Sequence, residues 1–383
     1  MHEIYFDNSA TTRVVPEVME AIRLACTVEY GNPSSLHGKG ISAEKNIRSS
    51  RDIIAQLIGS RPEQVYFTSG GTEANNWAIL GTAKRRRRRG KHIITSSVEH
   101  SSVLSPVRCL EADGWEVTCL PVDDRGIISM KDLENSLKEE TVLVSLMHVN
   151  NETGSLQPLD QAVKIVKSCS PKIVFHVDAV QSFGKIPFRL HESGFDLASI
   201  SAHKVHGPKG IGALVAVEGN EPAPLISGGD QEAGLRGGTE NLPGIAGFGA
   251  AVKYMNAHHD LRKIEELKGT LIDGLVGSIP DVRLNGPDAG RASPHIVNLS
   301  FPGVRGEVLV HYLEQYNIYC STGSACHSRR GKGSHVLQAM GVAGDNLEGA
   351  VRISFSHLNT LDEVKYTTER LADAVSDLRS LDC

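Results

Sequence analysis

Apolar residues in the first two-thirds of the chain fall in short runs separated by longer amphipathic stretches. Runs at Val65–Thr68, His92–Thr95, Glu116–Leu120, Val142–Met147, Ile173–Val177, Leu197–Ser201 and Gly212–Val217 predict seven strands. Several are apolar at consecutive positions, as expected for strands covered on both faces. Helical spacing appears between them, near Glu73–Lys84, Ser101–Ala112, Ser129–Lys138 and Leu159–Cys169. Strands separated by helices predict a mostly parallel, seven-stranded α/β sheet. A single long helix, from Ile245 to Leu275, is expected to leave this unit and enter a second one. Beyond it, strands near His295–Phe301 and Val351–Phe355 mix with helices near Gly306–Tyr316, His335–Met340 and Leu361–Leu378, which reads as a smaller α+β unit. The expected organisation is a large domain of residues 16–255 and a small domain of residues 1–15 and 256–383. No internal repeat is visible.

Composition narrows the classes. A chain of 383 residues exceeds one small core, and 40% hydrophobic with 22% charged residues is ordinary for a soluble protein. The net charge of -5 provides no overall field toward nucleic acid. The run Lys84–Arg89 reads either as a solvated helix end that suits the helix dipole or as a patch for an anionic partner. The opening MHEIYFDNSATT has no apolar core, so a secretory leader is not expected. No apolar run approaches the roughly 18 residues that cross a membrane. The seven cysteines are odd in number and scattered, which favours a reducing cytoplasm over a disulfide framework. No CxxC pair occurs, and no metal is expected.

Candidate chemistry sits at the strand ends. Phe67-Thr68-Ser69-Gly70-Gly71-Thr72-Glu73 is a strand, a glycine turn and a helix start. Unpaired N–H groups at such a start bind phosphate, with Gly70 and Gly71 permitting close approach and Thr72 adding a hydroxyl. The plainer reading is a helix cap. The pattern is neither GxGxxG nor a Walker loop, which disfavours a dinucleotide or ATP. Asp178 closes one buried strand and Lys204 follows another, where open α/β sheets bind ligands. A strand-end carboxylate and amine fit pyridoxal phosphate (PLP): the amine attaches the cofactor and the carboxylate keeps its pyridine nitrogen protonated. Ser201 and His203 are placed to hold the phosphate. A buried ion pair and a surface lysine are the competing reading. His100, just after another strand, fits a ring-stacking proton carrier or a cap. Asn151 fits a contact to the ring hydroxyl or substrate, or a turn closed by Gly154.

Together these motifs resemble the cysteine desulfurases of the NifS/IscS type, fold-type I PLP enzymes related to class-V aminotransferases. The resemblance runs over nearly the whole chain. It includes Tyr5-Phe6-Asp7-Asn8-Ser9-Ala10-Thr11-Thr12, Gly31-Asn32-Pro33-Ser34-Ser35-Leu36-His37, the Phe67–Asn76 segment, Glu99-His100 and Val149-Asn150-Asn151-Glu152. It continues through His176-Val177-Asp178-Ala179-Val180-Gln181, His203-Lys204, Gly237-Gly238-Thr239-Glu240-Asn241, Ser321-Thr322-Gly323-Ser324-Ala325-Cys326 and Arg352-Ile353-Ser354. The resemblance implies that Lys204 holds PLP, Asp178 faces the pyridine nitrogen and Gln181 the ring hydroxyl, and His100 stacks and carries protons. It implies phosphate contacts from Gly71, Thr72, Ser201 and His203, and from Thr239 of a neighbouring subunit, hence a homodimer. Arg352, aided by Asn151, resembles the clamp for the carboxylate of L-cysteine. Two departures stand out: Ala233 in Gln231-Glu232-Ala233-Gly234, where the family has arginine, and Phe355-Ser356-His357 after Ser354.

Cys326 lies in a stretch of Ser, Gly and charge, from Ser321 to Ser334, that has little apolar surface to bury. About 7 residues at ~3.3 Å each give a reach of roughly 20 Å, enough to visit the cofactor and then present sulfur elsewhere. The implied activity converts L-cysteine to L-alanine and leaves a persulfide on Cys326 for a sulfur-acceptor protein, such as an iron–sulfur scaffold or a tRNA-thiolation enzyme. A selenocysteine lyase or another PLP-dependent C–S lyase is the alternative. Cys320 reads as a packing residue at a strand end.

Overall fold

The computed structural model describes residues 3–288, 291–323 and 333–381. The strands are β1 (Ile4–Tyr5), β2 (Val65–Thr68), β3 (His92–Ser96), β4 (Glu116–Leu120), β5 (Thr141–Met147), β6 (Val174–Asp178), β7 (Leu197–Ser201), β8 (Gly212–Ala216), β9 (Arg283–Leu284), β10 (Ile296–Ser300), β11 (Ile318–Tyr319) and β12 (Ala350–Ser354). All seven strands expected in the first two-thirds form one sheet, ordered β2-β8-β7-β6-β5-β3-β4. Its pairs from β7 through β4 are parallel, and β8 runs antiparallel to both of its neighbours. Consecutive apolar residues serve opposite faces of this sheet, because side chains alternate along a strand. Ile94, Val144, Phe175 and Ile200 enter one core, while Ile93, Leu143, Val174 and Leu197 enter the other. The sheet is thus buried on both sides, as a mainly parallel sheet requires.

The expected single helix from Ile245 to Leu275 is instead two, Leu242–His258 and Leu261–Ser278. Asp260 makes the break. Its carboxylate accepts from the N–H groups of Arg262 at 3.0 Å and Lys263 at 3.3 Å, which starts a new helix rather than continuing the old one. Leu242–His258 packs on two earlier helices, Pro16–Thr27 and Gly38–Ile58. The second contact is close: a Cβ on Gly249 would lie 2.6 Å from Ser50 Oγ.

A separate core gathers Ile4, Phe6, Leu271, Leu299, Phe301, Val351, Phe355 and Leu371. It is built on an antiparallel sheet ordered β12-β10-β9 and a parallel pair, β1 with β11. The N-terminal strand therefore packs with the C-terminal elements, and Phe6 meets Phe355 edge-on with ring centroids 5.4 Å apart. Among the described residues no helix is long and apolar enough to cross a membrane.

The fold buries histidines. His176, in the middle of the large sheet, bridges Ser145 Oγ (2.8 Å) on β5 and Ser199 Oγ (2.9 Å) on β7. His206 and His357 meet edge-on at 4.7 Å where the two cores adjoin, and His357 Nε2 lies 3.1 Å from Tyr254 Oη. The departure at His357 therefore touches His206 and Tyr254. Burial holds His176 and His357 down to about 3 and His206 down to about 4, and it pushes His295 well below the ordinary value.

This has a consequence in acid. Each of these folded-state values lies below the ordinary histidine value of ~6.5, so the unfolded chain binds protons first as pH falls. The stabilisation is complete above that value and is lost on the way down to about 3 to 4. Each histidine costs about 1.4 kcal/mol per pH unit in that window. Burial pushes Glu99 up to about 8, which acts in the opposite sense, but it is one carboxyl against four histidines. The thermal midpoint is expected to fall between pH 7 and pH 5. A flat or rising midpoint over that interval would contradict the neutral assignment.

Candidate functional site

The parallel strands β3, β5, β6 and β7 end on one side of the sheet, where they border a cavity of about 480 Å³. These strand ends bring His100, Asn151, Asp178, Ser201, His203 and Lys204 to its wall, and the turn after β2 adds Gly71 and Thr72. Gln181 and Arg352 line it as well. Of the site residues expected from sequence, two are not among them. Thr239 is exposed and outside the lining. Cys326 lies outside the described residues.

Asp178 is buried at the floor. Its Oδ2 accepts from Asn75 Nδ2 at 2.7 Å, and its Oδ1 from the Val180 N–H at 3.0 Å. Asn75 Nδ2 also donates to Ser102 Oγ at 2.8 Å, and that hydroxyl lies 2.8 Å from His100 Nδ1. A continuous polar chain thus links His100 to Asp178 under the cavity. His100 Nδ1 accepts from the Ser102 N–H at 3.2 Å and so caps the helix Ser101–Ala112. A ring nitrogen that accepts carries no proton, which puts the proton of neutral His100 on Nε2. Capping and a place in the cavity wall are therefore compatible for this residue.

The lysine meets the N-terminal segment. Lys204 Nζ donates to the carbonyls of Ser9 and, at 2.9 Å, Ala10. Gln181 Nε2 donates to the same Ser9 carbonyl at 3.0 Å. The Thr12 N–H donates to the His203 carbonyl at 2.9 Å. Burial, with the charges of Lys204, Lys209 and Lys185, holds His203 down to about 3. Lys185, buried behind Lys204, is pushed down to about 7 by burial and by that neighbour's charge.

Arg352 is buried on β12. Its Nη2 donates to Asp7 Oδ1 at 2.6 Å and its Nη1 to the Asn151 carbonyl at 2.9 Å. Glu152, buried and next to Asn151 in sequence, accepts from Ser334 Oγ at 2.5 Å. Cys320 is buried, and burial with the Asp7 charge pushes its thiol up to about 12, so a thiolate there is strongly disfavoured.

The cavity wall leaves polar atoms waiting. Ser201 Oγ, Gln181 Oε1 and Asn75 Oδ1 are buried without hydrogen-bond partners among the described residues. Buried polar atoms are normally bonded, so a polar group in the cavity is called for. Pyridoxal phosphate fits that demand. Its phosphate suits Ser201 beside the Gly71–Thr72 helix start, its hydroxyl suits Gln181, and its pyridine nitrogen suits Asp178. The wall is tight at one point, since a Cβ on Gly71 would lie 2.7 Å from Val180 Cγ2.

Several residues of this arrangement carried no sequence expectation of their own: Asn75, Ser102, Asp7, Glu152 and the carbonyls of Ser9 and Ala10. Asn75 had one available signal. An asparagine inside a helix is a poor helix former, and its conformational cost is recovered when the side chain finds a buried partner.

Comparison with known proteins agrees with the geometry. A family model described as aminotransferase class-V matches residues 4–367. The chain is 40% identical over 382 residues to a cysteine desulfurase IscS of Clostridium botulinum, spanning 99% of this chain and 96% of the relative. It is 42% identical over 381 residues to a cysteine desulfurase IscS of Dictyoglomus turgidum, at 99% and 96% coverage. A solved NifS-like protein superposes with a TM-score of 0.91 at 39% identity, covering 98% of this chain and 100% of that one.

Proposed function

The chain belongs to the class-V aminotransferase family, as a PLP-dependent cysteine desulfurase, and from that premise we propose how its residues divide the work. The observation that carries the reading is the convergence on one cavity of a strand-end carboxylate, Asp178, a strand-end amine, Lys204, and a buried guanidinium, Arg352. When bound, PLP supplies a protonated pyridine ring that draws electrons from the substrate and makes its α-proton labile.

The protein's residues do the rest. Asp178, held by Asn75 and the Val180 N–H, keeps the pyridine nitrogen protonated through a charge-assisted bond. Gln181 and Asn151 would meet the ring hydroxyl and the substrate, and His100 would stack on the ring. Gly71, Thr72, Ser201 and His203 would hold the phosphate, and Thr239 would reach it from a second copy of the chain. Its exposed position, off its own cavity, is consistent with that. Lys204 would anchor the cofactor and, with its amine free, would take the substrate α-proton, with His100 as the second proton carrier. Arg352 and Asn151 fix the α-carboxylate of L-cysteine. Cys326, as thiolate, attacks the substrate sulfur. A bond forms between the two sulfur atoms, the substrate Cβ–S bond breaks with its electron pair left on carbon, and two protons, the one taken from Cα and the one given up by the Cys326 thiol, are delivered to Cβ and Cα to complete L-alanine. Arg329, Arg330 and Lys332 lie close in sequence and favour the thiolate, whose unperturbed pKa is ~8.5. The persulfide then passes to a protein acceptor, such as an iron–sulfur scaffold or a tRNA-thiolation enzyme, in the cytoplasm.

Three outcomes are expected. The purified protein is yellow, absorbing near ~400 nm, and borohydride fixes the cofactor to the chain through Lys204. Cofactor still fixed to a Lys204→Ala chain would move the attachment point. Thr239→Ala is expected to weaken PLP binding in a dimeric protein. A fully active monomer, seen by sedimentation, would remove the shared site.

The third concerns Cys326 and separates cofactor chemistry from sulfur removal. Cys326→Ala is expected to keep the spectral response of PLP to added cysteine while releasing no alanine. In the unsubstituted protein, mass spectrometry should find a ~32 Da gain, one sulfur, on the Cys326 peptide. Undiminished alanine production by Cys326→Ala would place the acceptor elsewhere.

A further inference from the structure

Arg352 cannot orient itself by solvent. Its side chain is only 3% exposed, its backbone is tied to Ser321 on one side, with Arg352 N donating to Ser321 O at 2.6 Å, and it stands opposite Asn298 of β10 on the other. Among the described residues two contacts fix the plane of the guanidinium: Asp7 Oδ1 at 2.6 Å on Nη2 and the Asn151 carbonyl at 2.9 Å on Nη1. Each takes one hydrogen of its nitrogen and leaves the other to be shared, and Nε has no partner among the described residues. Asp7 is itself well anchored. It bridges to Ser354 on β12, and its carbonyl accepts from the Ala10 N–H at 3.0 Å. Asp7 does not line the cavity, so it reaches the substrate only through Arg352.

We propose that Asp7 is a positioning residue for substrate recognition: its carboxylate sets the guanidinium of Arg352 in the orientation that meets the α-carboxylate of L-cysteine. This rests on the reading of Arg352 as the substrate clamp. A short carboxylate–guanidinium bond is directional as well as strong, and a planar fork aligned on one edge is aligned on its other edges too. The pairing also lowers the cost of keeping a charged side chain in the interior before substrate arrives. The role requires both the charge of Asp7 and its reach. Aspartate at this position is then a geometric choice, because glutamate would carry the same charge but place it one methylene farther out.

The test is steady-state kinetics of the PLP-loaded enzyme with L-cysteine, accompanied by cofactor content. Asp7→Ala is expected to raise KM about tenfold, the loss of one hydrogen bond to a charged group, with kcat within about twofold and cofactor content unchanged. Asp7→Asn, which keeps an acceptor in place but not the charge, is expected to recover only part of that loss. Asp7→Glu is expected to raise KM several-fold although charge is conserved, and it decides the matter if Asp7→Ala does not fold. Normal KM in Asp7→Glu together with normal KM in Asp7→Ala would overturn the proposal. So would a fall in kcat or cofactor content, with KM unmoved, which a merely structural role would give. An Arg352→Lys arm separates the two layers. If it leaves KM unchanged, the clamp reading fails and the proposal with it. If it raises KM while the Asp7 variants are neutral, only the positioning role is lost.

Discussion

The cavity depends on one short piece of backbone, Asp7 to Thr12, that is held on both sides. On one side, Asn8 Nδ2 and the Ser9 N–H bond to Ser354 of β12 at 2.8 Å each. On the other, the carbonyls of Ser9 and Ala10 receive Lys204, and Thr12 is bonded to His203. Planar peptides leave such a strap few soft dihedrals. The separation between the amine on the large sheet and the guanidinium on the small one is therefore set by a few peptide units bonded at both edges. The N-terminal strand belongs to the C-terminal core by packing, yet its continuation forms part of the wall around Lys204.

Much of this was legible in the sequence because the large sheet is buried on both faces. Runs such as Val142–Met147 and Leu197–Ser201 are broken only by serines, so the larger polar residues that follow a run mark where its strand leaves the interior. That rule points to Asp178 after one run and to the His203-Lys204 pair after another. Arg352 and Gln181 are different: nothing in their local pattern distinguishes them, and they were placed by family resemblance. The helices Pro16–Thr27 and Gly38–Ile58 carried no expectation, although Ala43, Ile47, Ile54 and Ile58 are buried at helical spacing. Glycines and serines dilute that stripe because the helix packs too closely for larger side chains, as at Ser50 against Gly249. The break at Asp260 was missed for a local reason. The apolar periodicity continues across it, and only the capping potential of one aspartate ends the helix. Asp7 and Asn75 act through partners more than a hundred positions away, a relation that no window along the chain contains.

The polar groups under the cavity are consequential because they are buried. Asn75 serves Asp178 and Ser102 at once, so removing it would unmake two bonds and leave a carboxylate short of a donor. The pair of Arg51 with Glu232 works similarly at the back of the β2 turn. Glu232 takes both guanidinium nitrogens at 2.8 Å and the Phe67 N–H at 2.9 Å, which ties the glycine turn to the segment carrying Ala233. Ala233 is exposed, so the alanine found where the family has arginine leaves this buried bond in place. Breaking a buried pair on one side costs more than its presence contributes, so such residues are resistant to single changes.

The bridge of His176 between Ser145 and Ser199 bears on inheritance as well as on folding. It joins three adjacent strands at one height, and a slip of one residue would turn its ring to the opposite face of the sheet. Asp178 lies two residues beyond it on β6, and Lys204 follows Ser199 on the next strand. The relative height of carboxylate and amine is thus measured from inside the sheet, at a point off the cavity lining. An apolar residue at position 176 could pack as well and escape the burial penalty, yet it would remove the mark that aligns the three strands. Sequence change at this histidine is therefore constrained by alignment, and the pressure to keep it would persist in a descendant that had exchanged one substrate for another.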